Sequence, residues 1–169
     1  LDPEVVLAAV KQDAQSGASL EHASRELQGD FEVVMAAVSH DQYSGVALSF
    51  ASDEMRGNRQ IVMEAVRQCY AGYPLQYASE TLQGDQEIVM EAVKIAGDNL
   101  SFASEELRGN REIVLAAVNQ TGSSLDDASE ELRGDREIVM AAVNEDWNAL
   151  EYAADELCGD KEIVLAAVK

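Results

Sequence analysis

The sequence predicts an all-α solenoid of short helix pairs with a repeat length of 25–28 residues. Three observations carry that prediction: a pattern that recurs along the whole chain, a second pattern that alternates with it, and segments too short to be stable helices alone. The first pattern runs from Asp2 to Val10 and again from Asp160 to Val168. It also starts at Asp30, Asn58, Asp85, Asn110 and Asp135, giving seven copies separated by 28, 28, 27, 25, 25 and 25 residues. Self-similarity at such a period is the mark of a repeat architecture. The second pattern, Leu-x-x-Ala-Ser-x-x-Leu with small variations, begins at Leu20, Leu48, Leu75, Leu100, Leu125 and Leu150.

The first pattern reads as helix B. Its opening Asp or Asn is an N-cap, whose side-chain oxygen accepts from an otherwise orphan amide. Pro3 after Asp2 suits the first helical position, and Glu two residues past most caps suits the positive end of the helix dipole. Counting from the cap, position +4 is valine, +7 alanine and +8 valine in all seven copies. A helix this apolar round its circumference is covered on several sides, and period-two alternation is absent, so a strand fails. The small alanines, Ala117 among them, predict close backbone seams.

The second pattern reads as helix A, roughly 9 residues long, against the ~12–15 that an isolated helix needs to be even marginal in water. Pro74, Asp98, Ser123 and Asn148 mark its start. Glycines at 17, 45, 72, 97 and 122 precede it, read as left-handed ends of helix B, with Trp147 in that place in the last copy. A Gly–Asp/Asn pair links helix A to helix B. Both helices must therefore gain their stability by stacking on neighbouring repeats. The extra residues in the early copies, at Ser39 to Ser44 and Gln68 to Ala71 for instance, lengthen helix B or its loop. One repeat domain spans 1–169, with about six repeats. It starts and stops inside helix B patterns, so a fragment of a longer array is the expectation.

The motifs at Leu125 to Val143, Leu-x-x-Ala-Ser-x-Glu-Leu followed by Gly-Asp-x-Glu-Ile-Val-x-x-Ala-Val, resemble the repeat family named domain of unknown function 4116. That resemblance covers essentially the whole chain. It implies a protist or bacterial origin, no established activity and no catalytic residue to carry over.

Charge narrows the function classes. Twelve Lys+Arg stand against 32 Asp+Glu, a net −20, which argues against nucleic acid and against an anionic membrane surface. No apolar run reaches the ~18 residues of a membrane span. Cys69 and Cys158 are too few for a disulfide framework, which favours a reducing intracellular or organellar compartment. No phosphate loop, dinucleotide fingerprint or calcium loop is present, and His22 and His40 have no partner at metal or triad spacing. No cofactor and no catalysis are expected.

Two ladders are candidate partner-binding surfaces. Two residues after the helix A leucine stand Phe50, Tyr77, Phe102 and Tyr152, with His22 and Asp127 at the same position. They form either an edge-of-core row or an interface, where aromatics are enriched. Around the glycine corner stand Arg108, Arg111, Arg133 and Arg136, either paired with glutamates or free to meet acidic groups on a partner. The functional expectation is a non-catalytic protein–protein interaction scaffold or accessory subunit, with protein partners in a larger assembly. The alternative is a regulatory or ligand-binding module of a larger effector or enzyme.

Overall fold

A computed structural model describes residues 18–168. Those residues are helices and turns with no strand among them, arranged as an all-α solenoid of repeats. They divide into two compact units, one up to Ile88 and one from Val89, so the division falls inside the helix Gln86–Ile95.

Helix B forms as its caps dictate. It spans Phe31–His40, Arg59–Gln68, Gln86–Ile95, Arg111–Gln120, Arg136–Glu145 and Lys161–Ala167. The Asp30 carboxylate accepts from the Val33 amide at 3.0 Å, and the Asn110 carbonyl oxygen accepts from the Glu112 amide at 3.0 Å. Five of these helices are ten residues long in repeats of different period, so the extra residues of the repeats that start at Asp30 and Asn58 lie in the following loops. In the first of those loops the buried Asp41 carboxylate gathers the Ser44 amide at 3.0 Å, the Ser44 hydroxyl at 2.7 Å and the Ala47 amide at 2.8 Å.

Helix A departs from expectation. It is two pieces, a 3-10 segment and a four-residue α-turn, as in Gly122–Asp127 and Glu130–Arg133. Between them Ala128 and Ser129 are extended, with ψ of 156° and 153°. The serine caps the turn: Ser129 Oγ accepts from the Leu132 amide at 3.4 Å. Its own amide donates to the preceding repeat, at 3.0 Å to the Arg108 carbonyl, and Ser52 and Ser79 do the same toward Gln28 and Arg56. Continuing the helix through this serine would remove that inter-repeat bond. The 3-10 segments are correspondingly capped by Ala96, Thr121 and Asp146, so Asp98, Ser123 and Asn148 lie inside them and are not caps.

The glycines before helix A also differ from the left-handed reading. Gly45, with φ of 66°, is the one left-handed residue among those described. Gly122 is required by space: a Cβ there would lie 2.5 Å from the Ala142 carbonyl oxygen and 2.9 Å from Asp146 Cβ. Gly97 meets Ala117 and Thr121 in the same way, and Gly17 lies outside the described residues.

The core is built from repeat-equivalent positions. Leu20, Leu48, Leu75, Leu100 and Leu125 of the 3-10 segments are fully buried. So are the helix B residues Ile61, Ile88, Ile113 and Ile138, with Val34, Val62, Val89, Val114 and Val139 beside them. Side chains of this size each contribute ~1.5–3 kcal/mol on full burial, but only where a neighbouring repeat covers them. The alanines Ala37, Ala92, Ala117 and Ala142 are buried as predicted. Among the described residues no helix is long and apolar enough to cross a membrane.

Candidate functional site

The aromatic row stands on the 3-10 segments, which follow one another within each unit. Phe50 and Tyr77 in the first unit and Phe102 and Tyr152 in the second are all half-buried. In the second unit shallow grooves separate successive repeats on this face. Tyr152 and Arg133 line one of them together with Glu130 and Asp155. Arg108 and Arg133 lie in the neighbouring groove with Glu105, Asp126, Asp127 and Glu131. The Nε atoms of Arg108 and Arg133 are buried and make no hydrogen bond. Burial pushes the Asp127 carboxyl above its ordinary range, and the Asp126 charge adds to the shift while Arg108 opposes it. The groove is therefore acidic, with two arginines set into its wall.

Arg111 and Arg136 sit differently. They lead helix B, and each bridges to the next repeat's cap Asp and first-turn Glu. Arg111 Nε reaches the Asp135 carboxylate at 3.2 Å and its Nη2 reaches Glu137. Arg136 repeats this with Asp160 at 3.2 Å and Glu162, and Arg59 with Asp85 at 2.9 Å and Glu87. Each arginine is held above its ordinary pKa by these acids: Glu137 then Asp135 for Arg111, and Asp160 then Glu162 for Arg136. Burial alone would raise Asp85 and Asp135, but the arginines and the helix amides outweigh it and hold both below the usual carboxylate range. At Asp160 the Ile163 amide leads, followed by Arg136. The glycine-corner arginines are thus two rows, one engaged between repeats and one lining open grooves.

Sequence reasoning missed a further aromatic pair. Tyr43 and Tyr70, both exposed, meet edge-to-face with ring centroids 5.0 Å apart. They stand on the lengthened loops of the first unit, tied by the Tyr70 amide donating to the Gln42 carbonyl at 3.1 Å. The Tyr43 contact pushes the Tyr70 hydroxyl up to about 12. The signal was in the sequence, since the extra residues of those two repeats carry these tyrosines and the 25-residue repeats have no counterpart.

Other reactive side chains have structural surroundings. Cys69 is buried and accepts from the Gly72 amide at 3.1 Å, with burial raising its thiol pKa; Cys158 is exposed, and both are free. His40 Nδ1 lies 2.8 Å from the Ala36 carbonyl one turn earlier. Among the described residues no three His, Cys, Asp or Glu side chains converge as a metal ion requires.

The family profile described as Domain of unknown function (DUF4116) matches in six overlapping stretches: residues 2–56, 42–83, 58–108, 85–133, 110–158 and 135–169. The chain belongs to the DUF4116 family. The stretch 85–133, which starts at a cap, takes in two successive helix B and helix A pairs, so the DUF4116 pattern spans two adjacent repeats. No curated protein and no solved structure matches the chain.

Proposed function

We propose that this chain is a non-catalytic protein–protein interaction scaffold whose grooved helix A face in the second unit receives a partner segment. The observation that carries this reading is the pairing pattern of the arginines. Arg111 and Arg136 are engaged with neighbouring repeats, whereas Arg108 and Arg133 line grooves that also present Tyr152 and a cluster of carboxylates. Such grooves offer an amphipathic aromatic contact and both signs of charge, a combination suited to binding a peptide. Acids outnumber the two arginines there, and the whole chain carries −20, so the partner presents basic residues, with an acidic group placed for Arg133. Interface energy concentrates in Tyr, Trp and Arg anchors, which nominates Tyr152 and Arg133 as the centre.

The test is co-purification from native material with a tagged chain. A stoichiometric basic protein partner is expected, retained by Arg111→Ala and lost with Tyr152→Ala combined with Arg133→Ala while the helical circular dichroism is preserved. A chain that purifies alone as a monodisperse monomer contradicts the scaffold reading.

A further inference from the structure

The two lengthened loops of the first unit bring together two side chains of the same reactivity. Tyr43 and Tyr70 are 49% and 56% exposed, and their rings meet edge-to-face with centroids 5.0 Å apart and planes at 66°. The other three tyrosines, Tyr73, Tyr77 and Tyr152, are half-buried. At this separation the ring edges are in van der Waals contact. The hydroxyl ends meet as well, since a hydrogen bond with Tyr43 is the first cause that pushes the Tyr70 hydroxyl up to about 12. The ring carbons ortho to each oxygen are therefore neighbours.

Both tyrosines stand on backbone that is held in place. On the first loop the buried Asp41 carboxylate accepts from the Ser44 amide at 3.0 Å and the Ala47 amide at 2.8 Å. On the second, Cys69 Sγ accepts from the Gly72 amide at 3.1 Å. The Tyr70 amide joins the loops by donating to the Gln42 carbonyl at 3.1 Å. They approach so closely that a Cβ on Gly72 would lie 2.1 Å from the Ser44 carbonyl oxygen, and one on Gly45 2.9 Å from Pro74. Two groups fixed side by side react with each other far faster than with partners met by diffusion.

We propose that Tyr43 and Tyr70 form an oxidative cross-linking site, where a haem peroxidase with hydrogen peroxide joins the two rings as dityrosine and ties the repeat starting at Asp30 to the repeat starting at Asn58. Each phenol gives up one electron and its hydroxyl proton to become a phenoxyl radical. The radicals pair to form a bond between ortho carbons, and the hydrogens on those carbons move to the oxygens to restore two phenols. Two electrons and two protons leave in all, and they reduce one hydrogen peroxide to two waters. The bond closes the chain between Tyr43 and Tyr70, restricting the unfolded chain as a disulfide does. This site lies in the first unit, and it goes beyond the partner groove on helix A and does not depend on it.

The experiment treats the 169-residue chain with a haem peroxidase and hydrogen peroxide over a dilution series, reading dityrosine fluorescence and tryptic peptide masses. The expected product is one peptide joining residues 26–56 to residues 68–94, lighter than their sum by two hydrogens, with the same yield per chain at every dilution. Tyr43→Phe and Tyr70→Phe keep a ring in each place but form no phenoxyl radical there. Each is expected to lose the joined peptide while its helical circular dichroism is preserved. A wild-type chain that yields no joined peptide overturns the proposal. So does a cross-link whose yield falls on dilution, which would lie between chains, or one that persists in Tyr70→Phe, which would assign it to Tyr73 or Tyr77.

Discussion

Two glycines that look alike in sequence should respond oppositely to alanine. At Gly122 an added Cβ would sit 2.5 Å from the Ala142 carbonyl oxygen, where ordinary contact begins at 3.4 Å. Relief requires about 0.9 Å of displacement, and the obstacle is helix backbone with no rotamer to change. Overpacking costs typically ~1–3 kcal/mol even where side chains can shift, so about 3 kcal/mol is expected at this rigid contact. At ~2–4 °C per kcal/mol for a chain of this size, Gly122→Ala should lower the melting temperature by about 6–12 °C. Gly109 is different. It has φ of −93°, open to any residue, and the nearest heavy atom to its Cβ would be the Glu106 carbonyl oxygen at an ordinary 3.4 Å. Gly109→Ala should stabilise by ~0.4–1 kcal/mol through the unfolded chain. The assay is urea denaturation and thermal melting of both variants beside wild type. Equal effects in both, or a tolerated Gly122→Ala, would refute the claim that the first class exists for close approach.

Other predictions concern buried polar groups and charge. The Ser124 hydroxyl is buried without a hydrogen-bond partner, and Ala149 and Ala47 fill the same repeat position; Ser124→Ala should be neutral or stabilising by about 1 kcal/mol in urea melts. Asp41→Ala strands the Ser44 and Ala47 donors in a buried loop and should cost ~3 kcal/mol, read as a lower urea midpoint. Arg111→Ala removes an exposed bridge and should move the midpoint far less than Gly122→Ala does. For pH, Asp85, Asp135 and Asp160 have folded pKa values below the unfolded one, so their stabilisation is complete above about pH 4 and is lost as pH falls through the folded values. Asp127 has its pKa raised, so it counts against the fold at neutral pH and that cost is relieved on acidification. The melting temperature should therefore peak on the acid side of neutrality and fall below about pH 4; a continued rise below that point would contradict the cap assignments.

Much of this architecture was legible because caps and repeat-equivalent apolar positions are local signals. Asp30, Asn58, Asp85, Asn110, Asp135 and Asp160 all cap as read, and the helix B valine and alanine positions from Val34 to Val143 and the helix A leucines from Leu20 to Leu125 enter the core. The break in helix A was not legible. Leu125, Ala128 and Leu132 have helical spacing, and what interrupts it is a bond from the Ser129 amide to Arg108 in the repeat before, a non-local demand that periodicity does not carry. A local sign existed even so: Ser-Glu-Glu-Leu is a good capping sequence, and it recurs at Ser104 and Ser129. The candidate surface was half legible. The arginine rows lie on either side of one glycine corner, and only the fold sorts Arg108 and Arg133 into grooves and Arg111 and Arg136 into bridges. Tyr43 and Tyr70 were hidden because loop insertions break the register that makes the other aromatics stand out.

Far-UV circular dichroism on a single excised repeat, residues 97–121, tests the central claim most directly. Short 3-10 and α segments that are held only by stacking should leave this peptide without helix in water, with helicity appearing and strengthening as two, three and more repeats are joined. A lone repeat with the helix content of the whole chain would contradict the account.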